Sequence, residues 1–152
     1  MPALSMHSPV GDLTLFAEQE AIVAVEWGWG SGPQEATALL RRTKAALEAY
    51  FDGAPLPEDL PLDPAGSPYR LKVWAALRAI PPGQTRTYRE IAAIAGGSAR
   101  SVGGANAANP IPILIPCHRV LASSGIGGYS GGAGLATKRA LLALEQLAGA
   151  TH

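Results

Sequence analysis

Apolar and polar positions change period several times along the 152 residues, and each change predicts an element. Leu13 to Phe16 and Ala21 to Trp27 read as strands, the second with Ile22, Val23 and Val25 partly alternating, joined by a polar turn around Glu18 to Glu20. Gln34 to Phe51 carries Leu39, Leu40, Leu47, Tyr50 and Phe51 at near-helical spacing and stops at Asp52-Gly53. A hairpin plus a helix makes a small α/β unit. Ala54 to Pro68 holds five prolines and a Gly-Ser step, which predicts a linker laid over the surface and a boundary near Gly66. In this first unit Trp27 and Trp29 predict core or interface packing rather than a ligand platform, and nothing else suggests chemistry.

The second half is predominantly helical. Ser67 caps a helix with Pro68 at its first position and Leu71, Trp74, Leu77 and Ile80 on one face, ended by Pro81-Pro82-Gly83. Thr87 with Glu90 forms a capping box that opens a short helix through Ala95. Gly96-Gly97 breaks it, and Ser98 caps a further helix through about Ala108, which Asn109-Pro110 stops. Two short helices about a glycine turn make a helix-turn-helix pattern. The second is notable for what it lacks: only Arg100 and Asn106 are long and polar among small residues such as Ser101, Gly103, Gly104 and Ala105. Two helix-interior glycines cost about 1 kcal/mol each relative to Ala, so something must approach closely. Tight helix packing and a DNA minor groove, about 6 Å wide, are both open. A glycine-rich loop from Gly125 to Gly134 precedes a last helix with Leu135, Leu141, Leu142, Leu144 and Leu147. The expected class is α+β, divided as residues 1–65 (small α/β with linker) and 66–152 (winged-helix-like, with the helix-turn-helix).

Composition adds compartment and polarity. No apolar run reaches the roughly 18 to 20 residues of a membrane span, and the N-terminus lacks a basic-apolar signal, so a cytoplasmic protein is expected. A single cysteine rules out an internal disulfide and a multi-thiolate zinc site. His7 and His152 read as solvated. Formal net charge is zero, but its distribution is not even: residues 1–64 hold ten acids against three bases, and residues 65–152 hold nine bases against two acids. The basic half suits phosphates.

The candidate chemistry is concentrated between Ile111 and Val120. Pro112 and Pro116 bracket Ile113, Leu114 and Ile115, which predicts a short buried extended segment delivering Cys117. A thiol attacks as thiolate, and His118 and Arg119 follow at once, types that help a thiol ionise. Glu145 falls on the face buried by Leu141 and Leu142, so it either frays outward or has a partner; a solvated position beside Lys138 or Arg139 is the bland alternative. Cys117, His118 and Glu145 together suggest nucleophile, base and orienting acid. Adjacent residues of a helical turn do not face each other, so Cys117 and His118 need not touch.

The string Pro116-Cys117-His118-Arg119-Val120, after Asn109-Pro110 and before Gly128-Tyr129-Ser130-Gly131-Gly132, closely resembles the acceptor motif of the O6-alkylguanine-DNA alkyltransferases. The match runs in order from Tyr69 to Glu145. The resemblance implies a ribonuclease H-like N-terminal unit, a monomer with no obligate protein partner, no cofactor, and duplex DNA containing O6-alkylguanine, with O4-alkylthymine a second substrate. It implies irreversible alkyl transfer to Cys117 through a thiol, water, His118 and Glu145 relay, with Asn109 bracing the turn. It further implies that Arg100 intercalates where the nucleotide leaves the stack, and that Ser101, Gly104 and Ala105 lie along the minor groove. Tyr88 would help rotate the nucleotide, the Cys117 and Val120 carbonyls would read the exocyclic amine, Ser130 would donate to O6, and Pro112, Gly128 and Tyr129 would line the pocket.

The chain departs from the family pattern in places. Tyr69 stands where members usually carry Phe, Tyr88 and Arg100 are two residues closer than in many, Gly131 to Leu135 is two residues longer, and Ala107 replaces a base found in some. Three other readings stand beside this one. Alkyltransferase-like proteins bind the lesion without repair, but carry Trp where this chain has Cys117. A cysteine hydrolase would turn over, and a winged-helix regulator would bind one DNA sequence.

Overall fold

The computed structural model describes the chain from Met1 to Ala150, and side chains as far as Ala148. Three antiparallel strands, β1 (Ala3–Met6), β2 (Leu13–Glu18) and β3 (Ala21–Trp27), form a sheet in sequence order. Gln19 and Glu20 both take positive φ, 48° and 64°, the backbone that a two-residue hairpin turn requires. Strand β1 was not expected: four residues behind a proline show no alternation, and only pairing of Ala3 with Phe16 through Met6 with Leu13 makes it a strand. Helix α1 (Ala38–Phe51) starts later than its apolar spacing suggests, at a Thr37 cap, and buries Leu40, Leu47 and Tyr50.

The proline-rich linker does more than cross the surface. Leu60 is buried, and the residues after it pair with Ile22, whose amide donates to the Pro61 carbonyl and whose carbonyl accepts from the Asp63 amide, both at 2.8 Å. An extended segment beside the free edge of β3 satisfies backbone groups that an uncovered edge would leave to water.

The C-terminal part follows its caps. Helix α2 (Pro68–Arg78) begins at Ser67 with proline in its first turn. Helices α3 (Tyr88–Ala95) and α4 (Ala99–Ala107) each start at the expected capping residue, Thr87 and Ser98. Two-residue strands β4 (Arg86–Thr87) and β5 (Val120–Leu121) pair in parallel, and α5 (Leu135–Ala150) closes the fold. Trp74 on α2 is buried and donates from Nε1 to the Ala105 carbonyl at 2.8 Å, which locks α4 against α2. No helix among the described residues is long and apolar enough to cross a membrane. His7 is solvated as expected, stacked on Trp29 and 2.7 Å from Asp12; His152 lies outside the described residues.

The turn between α3 and α4 is held from outside by Tyr69. The Tyr69 hydroxyl donates to the Gly96 carbonyl at 2.9 Å and lies 2.8 Å from Ser101 Oγ. Gly97, at φ +78°, has both hydroxyls where a Cβ would go. Gly97→Ala is therefore expected to cost about 1–3 kcal/mol, read as a lowered midpoint in thermal denaturation, while Gly53→Ala, with open space around it, costs less.

Candidate active site

Cys117 stands on a strained, fully buried turn. Ile113 to Ile115 is buried as expected but is not extended: Ile113 adopts φ +72°, and the Ile115 amide donates back to the Ile111 carbonyl at 2.9 Å. A β-branched residue at positive φ is costly, of order 1–3 kcal/mol, and persists only where its surroundings enforce it. Asn109 enforces it here, with Nδ2 donating to the Ile115 carbonyl at 2.8 Å and Oδ1 accepting from the Ile111 amide at 3.0 Å. Pro116, at φ −80° and ψ 66°, then makes an inverse γ-turn closed by the Cys117 amide on the Ile115 carbonyl at 2.8 Å. Cys117–Arg119 forms a single 3₁₀ turn.

Behind this turn lies one fully engaged carboxylate. Glu145 is 3% exposed, which excludes both the frayed and the solvated readings. Its Oε2 is 2.6 Å from His118 Nε2, and it accepts from Arg119 through Nε at 2.8 Å and Nη2 at 3.0 Å. The Tyr50 hydroxyl donates to Oε2 at 2.5 Å. Burial alone would push the Glu145 pKa up, but donors from His118, Arg119 and Tyr50 prevail and hold it at about 2. An ionised carboxylate only accepts, so the proton between it and His118 sits on Nε2, which leaves Nδ1 as a lone pair. That Nδ1 is buried and has no hydrogen-bond partner. Burial lowers the His118 pKa despite Glu145, so the imidazole is neutral, a base rather than an acid.

Arg119 does not help Cys117 ionise, contrary to expectation. Its guanidinium is committed to Glu145 and to the Ile80 carbonyl at 2.7 Å. Burial raises the Cys117 pKa, and Asn109, Tyr129 and Lys138 only partly offset this. The resting sulfur is a thiol.

Cys117 opens onto a cavity of about 780 Å³. Of the expected site residues, Tyr88, Asn109, Pro112, Gly128, Tyr129 and Ser130 line it with Cys117. His118 and Glu145 lie behind the wall. Val120 is fully buried and outside the lining, and its carbonyl accepts from Lys138 Nζ at 2.7 Å. Parallel pairing of β4 with β5 sets Tyr88, at the start of α3, beside the strand that follows the cysteine. The Tyr129 hydroxyl is buried without a regular hydrogen bond, within electrostatic reach of the Cys117 sulfur.

Helix α4 presents Arg100, Ser101 and Gly104 to solvent. Ala105 is corrected: it faces the core at 2% exposed, with its carbonyl taken by Trp74. Asn106 also turns inward, which removes it from the exposed face. A Cβ on Gly103 or Gly104 would meet nothing within 4 Å, so packing inside the protein does not require either glycine. Tight helix packing is thereby excluded as the reason for them.

Sequence reasoning missed the roles of four residues, Lys138, Arg119, Tyr50 and Trp27. Lys138 is fully buried and ties the Val120 carbonyl to the Gly128 carbonyl, at 2.7 and 3.0 Å. Its spacing from Leu141 and Glu145 places it on their buried face, a signal that was available. Arg119 and Tyr50 carried no such signal, because their partner is 26 and 95 residues away. Trp27 on β3 lines the cavity and sits where a Cβ on Gly131 would go, so the N-terminal sheet contributes to the site after all.

Two family descriptions match the chain: the ribonuclease-like domain of 6-O-methylguanine DNA methyltransferase over residues 4–64 and its DNA binding domain over residues 68–147. The methylated-DNA–protein-cysteine methyltransferase of Mycobacterium bovis is 50% identical, covering 93% of this chain and 90% of its own. That of Methanosarcina barkeri is 40% identical over 93% and 94%. The crystal structure of Mycobacterium tuberculosis OGT in complex with DNA superposes with TM-score 0.86 at 37% identity, covering 97% and 94% of the two chains.

Two measurements check the carboxylate. Its folded pKa of about 2 lies below the ordinary value of 4.5, so the unfolded chain takes up that proton first, and stability present above pH 4.5 is lost as pH falls toward 2. Thermal melts across that range are expected to show the decline. Tyr50→Phe removes one donor from a buried charge, with an expected loss of about 1–3 kcal/mol in denaturant unfolding at neutral pH.

Proposed function

The chain belongs to the 6-O-methylguanine DNA methyltransferase family, and on that premise we propose that Cys117 is the acceptor of an alkyl group from the O6 oxygen of a damaged guanine in duplex DNA. The protein is a methylated-DNA–protein-cysteine methyltransferase, a DNA repair enzyme acting by alkyl transfer to cysteine. The observation that carries the assignment is Cys117 on the wall of a nucleotide-sized cavity, backed by a neutral His118 oriented by an ionised Glu145.

The chemistry is displacement at carbon. The alkyl C–O bond breaks as the C–S bond forms, the pair of electrons leaves with guanine O6, and the net proton passes from thiol to guanine. Because the resting sulfur is protonated, the proton must be drawn off as transfer begins. His118 Nδ1 receives it through one water, and Glu145 stabilises the imidazolium that results. Tyr88, with a pKa raised by burial, keeps its proton and donates toward the base. Ser130 donates to O6, the Cys117 and Val120 carbonyls face the exocyclic amine, and Pro112, Gly128 and Tyr129 enclose the ring. A thioether does not hydrolyse, so each molecule acts once.

The target atom is inside the helical stack, so the nucleotide must rotate out, at a few kcal/mol. The exposed face of α4 suits that step: Arg100 fills the gap, while Ser101 and Gly104 let backbone approach the groove. The basic C-terminal part supplies phosphate attraction. We place the protein in the cytoplasm as a monomer, with lesion-bearing duplex DNA as its partner. Cys117 itself, where lesion-binding relatives carry Trp, speaks for repair over binding alone.

Mixing the protein with an O6-methylguanine duplex is expected to raise its intact mass by one methyl group, and an unchanged mass would refute the assignment. Cys117→Ser is expected to gain no mass yet still bind the lesion. Arg100→Ala is expected to react nearly normally with free O6-benzylguanine but poorly with duplex DNA in single-turnover assays; equal losses would sink the intercalating role.

A further inference from the structure

The donors around Glu145 are unevenly shared between its two oxygens. Oε2 accepts from His118 Nε2 at 2.6 Å, Arg119 Nη2 at 3.0 Å and the Tyr50 hydroxyl at 2.5 Å. Oε1 accepts from Arg119 Nε at 2.8 Å and, at 3.5 Å, from the Gly83 amide. A carboxylate oxygen offers two lone pairs, so the crowded oxygen is the one the imidazole uses. For burial of the charge alone, a phenol on the less crowded Oε1 would serve as well. The placement of Tyr50 therefore bears on the bond to His118. Tyr50 reaches it from α1, 95 residues away, is 4% exposed, and keeps its proton because burial and the Glu145 charge both oppose ionisation.

Building on the proposed alkyl transfer, we infer that Tyr50 is a positioning residue for that reaction, acting through Glu145: by sharing Oε2 with the imidazole, it limits how strongly the carboxylate can hold a second proton on His118. The relay needs a base that is neutral before transfer and cationic during it. A carboxylate free of other donors would stabilise the imidazolium so well that the ring would be protonated at rest, and Nδ1 would then have no lone pair for the thiol proton. Each further donor on Oε2 draws charge from that oxygen and weakens this pull. Tyr50 does so as a neutral group, without placing another positive charge beside the ring. The N-terminal unit thereby conditions the base that the C-terminal part uses.

The other titratable and charged groups around this cluster are Lys138 from α5, Cys117 and Arg119 from the turn of His118, and Tyr129 from the glycine-rich loop. None of them changes between the proteins compared, and Glu145, held at about 2, stays ionised throughout. Single-turnover transfer from free O6-benzylguanine, which involves no DNA phosphates, is measured against pH, with circular dichroism confirming the fold at each point. In the wild type the rate is expected to fall as His118 takes up its second proton, below its ordinary 6.5. Loss of the donor in Tyr50→Phe raises the basicity of the ring, so the fall is expected to move up by about one pH unit. Replacing the Tyr50 ring with 3-fluorotyrosine, a more acidic phenol and a stronger donor, is expected to move it down by a smaller step. Opposite displacements support the inference. Any other pattern overturns it, including an equal loss of rate at every pH, which would leave Tyr50 a brace for α5. Should Tyr50→Phe fail to fold, the fluorotyrosine displacement alone decides. Absence of any mass gain by the wild type would instead refute Cys117 as acceptor, an outcome separate from the pH profile.

Discussion

A single ionised carboxylate joins the parts of this molecule that matter. Glu145 on α5 receives His118 and Arg119 from the turn bearing the cysteine, and Tyr50 from the N-terminal helix. Removing a carboxylate from water is costly by several kcal/mol, and only near-complete pairing makes it tolerable. Three protein segments must therefore be in place together before the charge can be buried. That requirement orients the imidazole, fixes its tautomer, and makes the N-terminal unit a structural participant in the site.

The arrangement also explains a conflict in the reactive group. A nucleophilic sulfur is useful as thiolate, yet burial keeps Cys117 protonated. A permanently ionised sulfur in an open cavity would be exposed to oxidants and stray electrophiles. On the proposed mechanism, the thiol is activated only when a substrate fills the cavity and its proton can pass through a water to the neutral, oriented imidazole. The strained Ile113 turn and the inverse γ-turn at Pro116 are what hold the sulfur at that position.

On the opposite side of α4, the governing feature is an absence of bulk. Glycines whose Cβ positions would meet open space cannot be explained by the protein's own packing, and they weaken the helix. Their cost is offset at the other face, where Val102 and Ala105 are buried and Trp74 grips the Ala105 carbonyl. The helix is thus fixed from behind and bare in front, a shape suited to a groove.

Much of this was legible in the chain itself. Caps at Ser67, Thr87 and Ser98 are local chemistry, a side-chain oxygen meeting an amide three residues on, so they set helix starts without help from the fold. The Pro-Cys-His-Arg-Val string and the small-residue helix disclosed the kind of site. What remained was decided by contacts far apart in sequence. Strand β1 and the ordered linker exist only through pairing with β2 and β3. Arg119 follows Cys117 in the chain by two positions yet turns to Glu145, because a buried guanidinium goes where charge and acceptors are, not where the chain is adjacent. Tyr50 looked like one more apolar position of α1, and Asn106 and Ala105 looked like parts of an exposed helix face. Residue type and local spacing fix what a side chain is able to do; which partner it meets, and whether it faces water, depends on packing among distant segments that no local pattern encodes.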